Sequence, residues 1–392
     1  MITIFDKHTE QNEFDSNGLA IIEPLTATIT EEINGRYDYQ ITAVCDPQND
    51  AWQKLQPYNI IKSSSTGQLF MINKVAYSSS NGYPSVTAYA QHIWYYLADM
   101  FTEYAEDTRA MRYAMQHVFS DKADDPGNAT HWSHGTGLTD YTFTYDTDDY
   151  SSGTDDMRYY KYEHVSLAYA VLGSPDSIIN LWGAELHRDN FHFKLARPKD
   201  MNNSPVDFKL EYGVNCSNVD FTNDYSERIT EMFAYSNVTY SYYGKSIIPD
   251  AGTFPHQVMS GVDFSYENET YGAGGTPKFI VDADDYFGKY WQPKQTWDVS
   301  FVDPTGLDNY GGWNAAQNIQ IGDLATIVDA LGHTGKQKVI SRKINDITGR
   351  VENIKLGSFL NTAGHLDKFD RIISGDYAAY RRIKRLENAQ NS

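Results

Sequence analysis

The sequence predicts an α+β, mainly β protein: two similar antiparallel β-barrel domains carrying α/β insertions. Three observations lead there. Apolar residues alternate with period two through the first ninety positions and again in the last third. Asn-Gly and other glycine-bearing turns break those runs at short intervals. The composition is also rich in strand-forming aromatics, with 30 Tyr, 18 Phe and 7 Trp, 14% of 392 residues.

In the first domain, 1–90, Ala27, Ile29, Glu31 and Ile33 lead into Asn34-Gly35, and Tyr37, Tyr39, Ile41 and Ala43 lead away. Asn-Gly supplies the positive φ values of a type I′ turn, so these runs read as a hairpin. Strands over Tyr58 to Lys62 and Gln68 to Val75 flank a polar loop, and a third from Tyr83 to Ala90 follows Asn81-Gly82. Short strands at this spacing form a small antiparallel barrel or sandwich.

The second stretch, 91–200, mixes helix and strand. Met111, Ala114, Met115, Val118 and Phe119 share one helical face, with Asp107 or Thr108 placed to cap it. Tyr141 to Tyr145 reads as a strand between loops. A second helix is expected from Ser174 as cap and Pro175 as first residue, through Ile178, Ile179, Leu181 and Trp182, to a stop at Gly183. Then comes a hairpin: Glu185-Leu186-His187, a turn at Arg188-Asp189-Asn190, and a strand with Phe191, Phe193 and Leu195 on one face and His192 and Lys194 on the other.

The last part repeats the first in its order of elements. A charged, Tyr-bearing strand (Asp224 to Phe233), Gly322 to Val328, Lys338 to Ile344 and Val351 to Leu356 echo Glu32 to Thr42, Asn59 to Lys62, Phe70 to Val75 and the strand after Asn81-Gly82. This places a second β-barrel domain over 201–239 and 319–360, split by an insertion domain at 240–318. A helical segment, 361–392, closes the chain, with Ala379, Ile383, Leu386 and Gln390 at coiled-coil spacing.

Charge excludes several functions. Acidic residues number 52 against 32 basic, a net charge of −20, which lacks the cationic excess of a nucleic-acid binder. No apolar run reaches the roughly 18–20 residues of a spanning helix, so no membrane insertion is expected, and the N-terminus has no secretory pattern. Cys45 and Cys216 allow at most one bridge and read as small buried apolar groups.

Chemistry-bearing patterns are few, and no cofactor is expected. His131, His134 and His164 are the candidates for a metal or hydrolase site, but the first two lie in loop composition without a Glu between them. The two Asp-rich, Tyr-bearing runs at 146–150 and 282–286 lack the pattern of a calcium loop and read as solvated acidic turns. There is no Gly-x-Ser-x-Gly, phosphate loop or dinucleotide fingerprint. Trp291, Trp297 and Trp313 raise a carbohydrate-binding alternative, against packing inside a domain.

Several segments together resemble the phage tail-tip hub family, the N-terminal structural part of tail-associated lysins or prophage tail endopeptidases. The run from Ser177 through Leu195 is similar to that family's helix, Gly-Gly-Glu-Leu and Arg-Asp-Asn hairpin, with Ala184 in place of the second glycine. Gly183, Glu185, Arg188, Asp189 and Asn190 carry this likeness, joined by Tyr225 in Asp224-Tyr225-Ser226 and by Gly322 and Asp323. The resemblance implies a ring-forming homotrimer related to the contractile-phage baseplate hub, with two tube-like barrels per subunit closing the tail tube. It also implies contacts with the distal tail protein, the tape-measure protein and receptor-binding or fibre proteins, and DNA only as transient cargo. The expected place is the distal end of the virion tail, assembled in the host cytoplasm. Lytic members of that family carry the hydrolase in a C-terminal extension; this chain ends at Ser392, so no enzymatic activity is expected. A peptidoglycan hydrolase or an adhesin are the alternatives.

Overall fold

A computed structural model describes residues 2–79, 84–119, 141–148, 157–173, 176–201, 203–226, 228–236, 241–246, 259–263, 278–291, 294–301 and 319–357. The fold is mainly β, its pairs mostly antiparallel, with few helices. No helix among the described residues is long and apolar enough to cross a membrane.

The chain begins with β1 (Ile2–Phe5), β2 (Ala20–Ile22), β3 (Thr26–Glu32), β4 (Tyr37–Val44), β5 (Ile60–Lys62), β6 (Leu69–Ser78) and β7 (Ser85–His92). Alternation has its expected effect: Ala27 and Ile29 of β3, Tyr39 and Ile41 of β4, and Val86 and Ala88 of β7 are buried. The Asn34-Gly35 turn is wider than type I′. Only Asn34 takes a positive φ, 46°, and the Glu32 N–H reaches past it to the Arg36 carbonyl at 2.8 Å. Its side chain is held by residues 184 and 186, so a tertiary contact shapes the turn.

Next come β8 (Phe101–Arg109), α1 (Met111–Phe119), β9 (Thr144–Thr147), β10 (Arg158–Ser166), α2 (Ile178–Trp182), β11 (Glu185–Asp189) and β12 (His192–Ala196). The apolar face of α1 is buried as its spacing requires. Asp107 and Thr108 do not cap it, because β8 runs through both and pairs with β10 along its length. Ser177, not Ser174, precedes α2, while Gly183 ends it in the left-handed conformation, φ 63°. The following hairpin turns on Asn190-Phe191. Asp189 pairs with His192, so Arg188 and Asp189 are strand residues and only Asn190, φ 51°, has the backbone of a turn.

The remainder holds β13 (Phe208–Glu211), β14 (Cys216–Asp224), β15 (Glu231–Ser236), β16 (Ser241–Ser246), β17 (Met259–Asp263), α3 (Lys278–Tyr290), β18 (Lys294–Phe301), β19 (Leu324–Val328), β20 (Thr334–Asn345) and β21 (Arg350–Gly357). Strands β15, β16 and β17 form their own sheet. It packs on α3 around Ile229, Met232, Ala234, Ala283 and Phe287. Strand β18, inside the stretch 240–318, instead joins the large sheet. The second Asp-rich run is not a turn, since residues 282–286 lie in α3; of the first, Asp146 and Thr147 lie in β9 and residues 149–150 lie outside the described residues. Both thiols are free. Cys216 is buried, which pushes its thiol up to about 12, and Cys45 is half-buried. The expected C-terminal helix at 361–392 lies outside the described residues.

Thirteen strands make one continuous sheet, in the order β14-β18-β21-β20-β3-β4-β7-β6-β5-β1-β2, with β13 and β19 attached beside β20. Two separate barrels were expected; among the described residues the strand path does not close on itself. The expected repeat is present in the pairing. The order β3-β4-β7-β6-β5 recurs as β14-β18-β21-β20-β19, with every pair antiparallel. The irregularities recur too. β6 bulges at Asn73 between pairs Ile72↔Ala90 and Lys74↔Tyr89, and β20 bulges at Ile340 between Val339↔Leu356 and Ser341↔Lys355. Before the bulge, the Tyr58 N–H donates to the Ile72 carbonyl and the Ile72 N–H to the Asn59 carbonyl, just as Gly322 donates to Val339 and Val339 to Asp323, and both Tyr58 (φ 72°) and Gly322 (φ 87°) are left-handed. The element matching β4 is β18 rather than Asp224 to Phe233. The halves meet where β20 pairs with β3.

Candidate functional site

The β11–β12 hairpin lies across the meeting of the two halves. Its Arg188 is buried, and its guanidinium donates to the Gly35 carbonyl (2.8 Å), the Tyr95 hydroxyl (3.0 Å) and the Glu32 carbonyl (3.0 Å). It also sits 5.2 Å from the Tyr37 ring and within 6 Å of Trp94 and Tyr95. Asn34 completes this end by donating to the Ala184 carbonyl and accepting from the Leu186 N–H.

The hairpin tip is held as closely. Asn190 accepts from the Leu69 N–H at 2.8 Å and gives its own N–H to Gln68 Oε1 at 2.9 Å, while Gln68 Nε2 donates to Asp189. His92 joins the same amide. Its Nδ1 accepts the Trp94 N–H, so Nε2 carries the proton and donates to Gln68 Oε1 at 2.8 Å. Burial, and then the Arg188 charge, push the His92 ring well below its usual range, so it is neutral and stacks on Tyr37 at 4.5 Å. On the opposite side Glu185 is buried against Lys338 of β20. A Cβ on Gly322 would come 3.2 Å from the Glu185 carboxylate and 3.5 Å from the His187 ring. One hairpin therefore grips β3, β6 and the Gly322-to-Lys338 region together.

Two further contacts join the halves beneath it. Arg342 of β20 binds the Glu31 carboxylate of β3 at 2.7 Å, both groups nearly buried. Asp346, just beyond β20, enters the first half and accepts from the Tyr39 hydroxyl (2.5 Å), the Ser63 hydroxyl (2.7 Å) and the Ser65 N–H (2.8 Å). Burial raises its carboxyl, but the bonds from Ser65, Tyr39 and Ser63 outweigh that and hold it below the usual range. Between these contacts and the hairpin lies a cavity of about 460 Å³, lined by Glu31, Tyr37, Gln68, Arg188, Gln320 and Arg342 among others. Glu31 and Arg342 are paired with each other and the Arg188 guanidinium is engaged by two carbonyls and a hydroxyl, so its chemistry is that of a joint.

Of the motif residues, Glu185, Arg188, Asp189, Asn190 and Gly322 converge on this joint, while Gly183 ends α2 ahead of it. Asp323 lies beside it, accepting from the Gln320 N–H and the Lys199 ammonium. Tyr225 lies apart, 54% exposed just after β14. His164 is exposed on β10, and His131 and His134 lie outside the described residues. No group of three metal-ligating side chains occurs among the described residues. Trp297 is buried and Trp291 packs against the small core of α3, while Trp313 lies outside the described residues. Sequence reasoning missed Glu31, Arg342, Lys338 and Asp346. Each acts through a partner more than 150 positions away, which no local pattern records.

Residues 4–92 match the prophage endopeptidase tail N-terminal domain. The chain resembles prophage tail proteins. A prophage tail protein from Listeria monocytogenes EGD-e is 14% identical, with 95% of this chain and 99% of that one covered and a TM-score of 0.60. A tail protein from Neisseria meningitidis MC58 is 9% identical, over 93% and 98% of the two chains, at TM-score 0.58. The 43 kDa tail protein of prophage MuSo2 from Shewanella oneidensis is 9% identical, over 92% and 98%, at 0.52. At these identities the likeness is one of fold, and it extends nearly end to end in each pair. No curated protein matches the chain by sequence.

Proposed function

We propose that the chain is a virion structural protein, a homotrimeric tail-tip or baseplate hub that closes the tail tube and opens for DNA ejection. The repeated strand order carries this reading. A chain with two alike half-sheets becomes a ring of six alike units when three copies assemble, and such a ring matches a sixfold tube above it. The tail-protein fold and the match over residues 4–92 support the same reading. Each half is then a tube-like barrel domain, completed by its neighbours in the ring, with the middle α/β part and the insertion outside it. The distal tail protein, the tape-measure protein and fibre proteins are the partners, at the distal end of the tail. DNA is cargo that passes a chain of net charge −20 without binding it. The role is assembly rather than catalysis. Size-exclusion chromatography with light scattering should give the mass of three chains, and electron micrographs should show rings; a monomer at every concentration would sink the proposal. Incubation with purified cell walls should release no muropeptides.

A further inference from the structure

The repeat leaves two strand edges open, and the internal joint shows what fits them. In the first half, β5 covers β6 only through Leu69 to Met71, and no described strand pairs with Lys74 to Tyr77 on that side. The matching part of β20, from Ser341 to Ile344, is covered by β3. In the second half the strand matching β3 is β14, which forms the end of the sheet and pairs only with β18 among the described strands. The uncovered part of β6 is thus the counterpart of what β3 covers, and β14 is the counterpart of β3.

We infer that β14 of one copy pairs antiparallel with the Lys74-to-Tyr77 edge of β6 in a second copy of this chain, repeating between chains the β3–β20 joint found within one. The inference rests on the ring reading above, and the internal register fixes its own. Ser341↔Glu32 and Ile344↔Ile29 translate through the repeat into Lys74↔Asp224 and Tyr77↔Phe221. That register places a cation opposite an anion and two aromatic rings opposite each other, both favourable cross-strand pairs.

Exposure supports the same surfaces. Ile33 follows β3, gives its N–H to Ile340 across the internal joint and is 1% exposed. Its counterpart Tyr225 follows β14 and is 54% exposed, and Tyr77 is 67% exposed. A bare strand edge of this kind templates pairing with another chain. Trp297 adds an independent mark. It stands where Tyr39 stands in the first half, and Tyr39 bonds across the joint to Asp346. Trp297 is 2% exposed, and its indole N–H has no partner among the described residues. In the internal joint the other half supplies that partner; here a second chain does.

Cysteines at the two edges test this in the full chain with Cys45 replaced by Ser. On oxidation K74C/D224C should give chain-to-chain disulfides that stop at a closed species, because facing strand residues lie within disulfide reach. K74C/N223C, one position out of register, points its thiols to opposite faces and should cross-link far less. In the native background Lys74→Glu should weaken self-association roughly five- to tenfold, and K74E/D224K should restore it. A trimer that forms no K74C/D224C disulfide, or forms both disulfides equally, overturns the pairing and leaves the ring standing. A chain that never associates overturns both.

Discussion

Asp346 enters the first half as an anion, and its hydrogen bonds make folding depend on pH. Its folded pKa lies below that of the unfolded chain, so its stabilisation is fully present above about 4 and is lost as pH falls through the folded value. Asp346→Asn should therefore lower the urea midpoint at pH 7 and flatten the decline below pH 4, measured by tryptophan fluorescence. Two matched backbone positions give a second prediction. Tyr58 and Gly322 share the left-handed conformation, but only glycine adopts it without strain. Gly322→Ala should cost about 1–2 kcal/mol, with crowding against Glu185 added to the strain. Tyr58→Gly should be neutral or stabilising by up to about 1 kcal/mol, since that side chain is exposed. Urea titration of both variants checks the contrast.

At the level of elements, the β11–β12 hairpin shows how a local motif acquires a tertiary role. Gly183 stops α2 for a local reason, and the apolar alternation of β12 buries Phe193 and Leu195 for another. The sequence places both. It misplaces the turn, because Arg188 looks like a turn residue until its guanidinium is seen among the Tyr37, Trp94 and Tyr95 rings. Glu185 and Lys338 supply the test at this scale. Glu185→Ala strands a buried ammonium and should destabilise by about 3–5 kcal/mol in chemical denaturation. Replacing both, as E185L/K338M, should recover most of that loss, because the desolvation of both charges disappears with them.

Across the whole molecule, the β3–β20 pairing makes one sheet of two alike halves. The ion pair of Glu31 with Arg342 and the seat of Asp346 tie that pairing from both sides. The halves should therefore unfold together. Far-UV circular dichroism and tryptophan fluorescence should give coincident urea transitions, and the slowest amides of β3 and β20 should report one common opening free energy in hydrogen exchange. Two separated transitions would show that the halves are independent. The net charge of −20 also belongs to this scale, because it concerns what the surface attracts or repels rather than how any strand forms.

By itself the sequence determined the mainly β class, the helix at Met111–Phe119, the stop at Gly183 and the repetition of elements. Each of these is written in spacing that acts within a few residues: alternation of two, a helical face, a glycine with φ above zero. The tertiary structure alone decided that the halves share one sheet, that β18 rather than Asp224 to Phe233 matches β4, and that Asn34 holds the hairpin instead of making a type I′ turn. Strand pairing and buried charge pairs depend on which distant backbone and which counter-charge arrive together. That information lies between segments, and no single segment contains it.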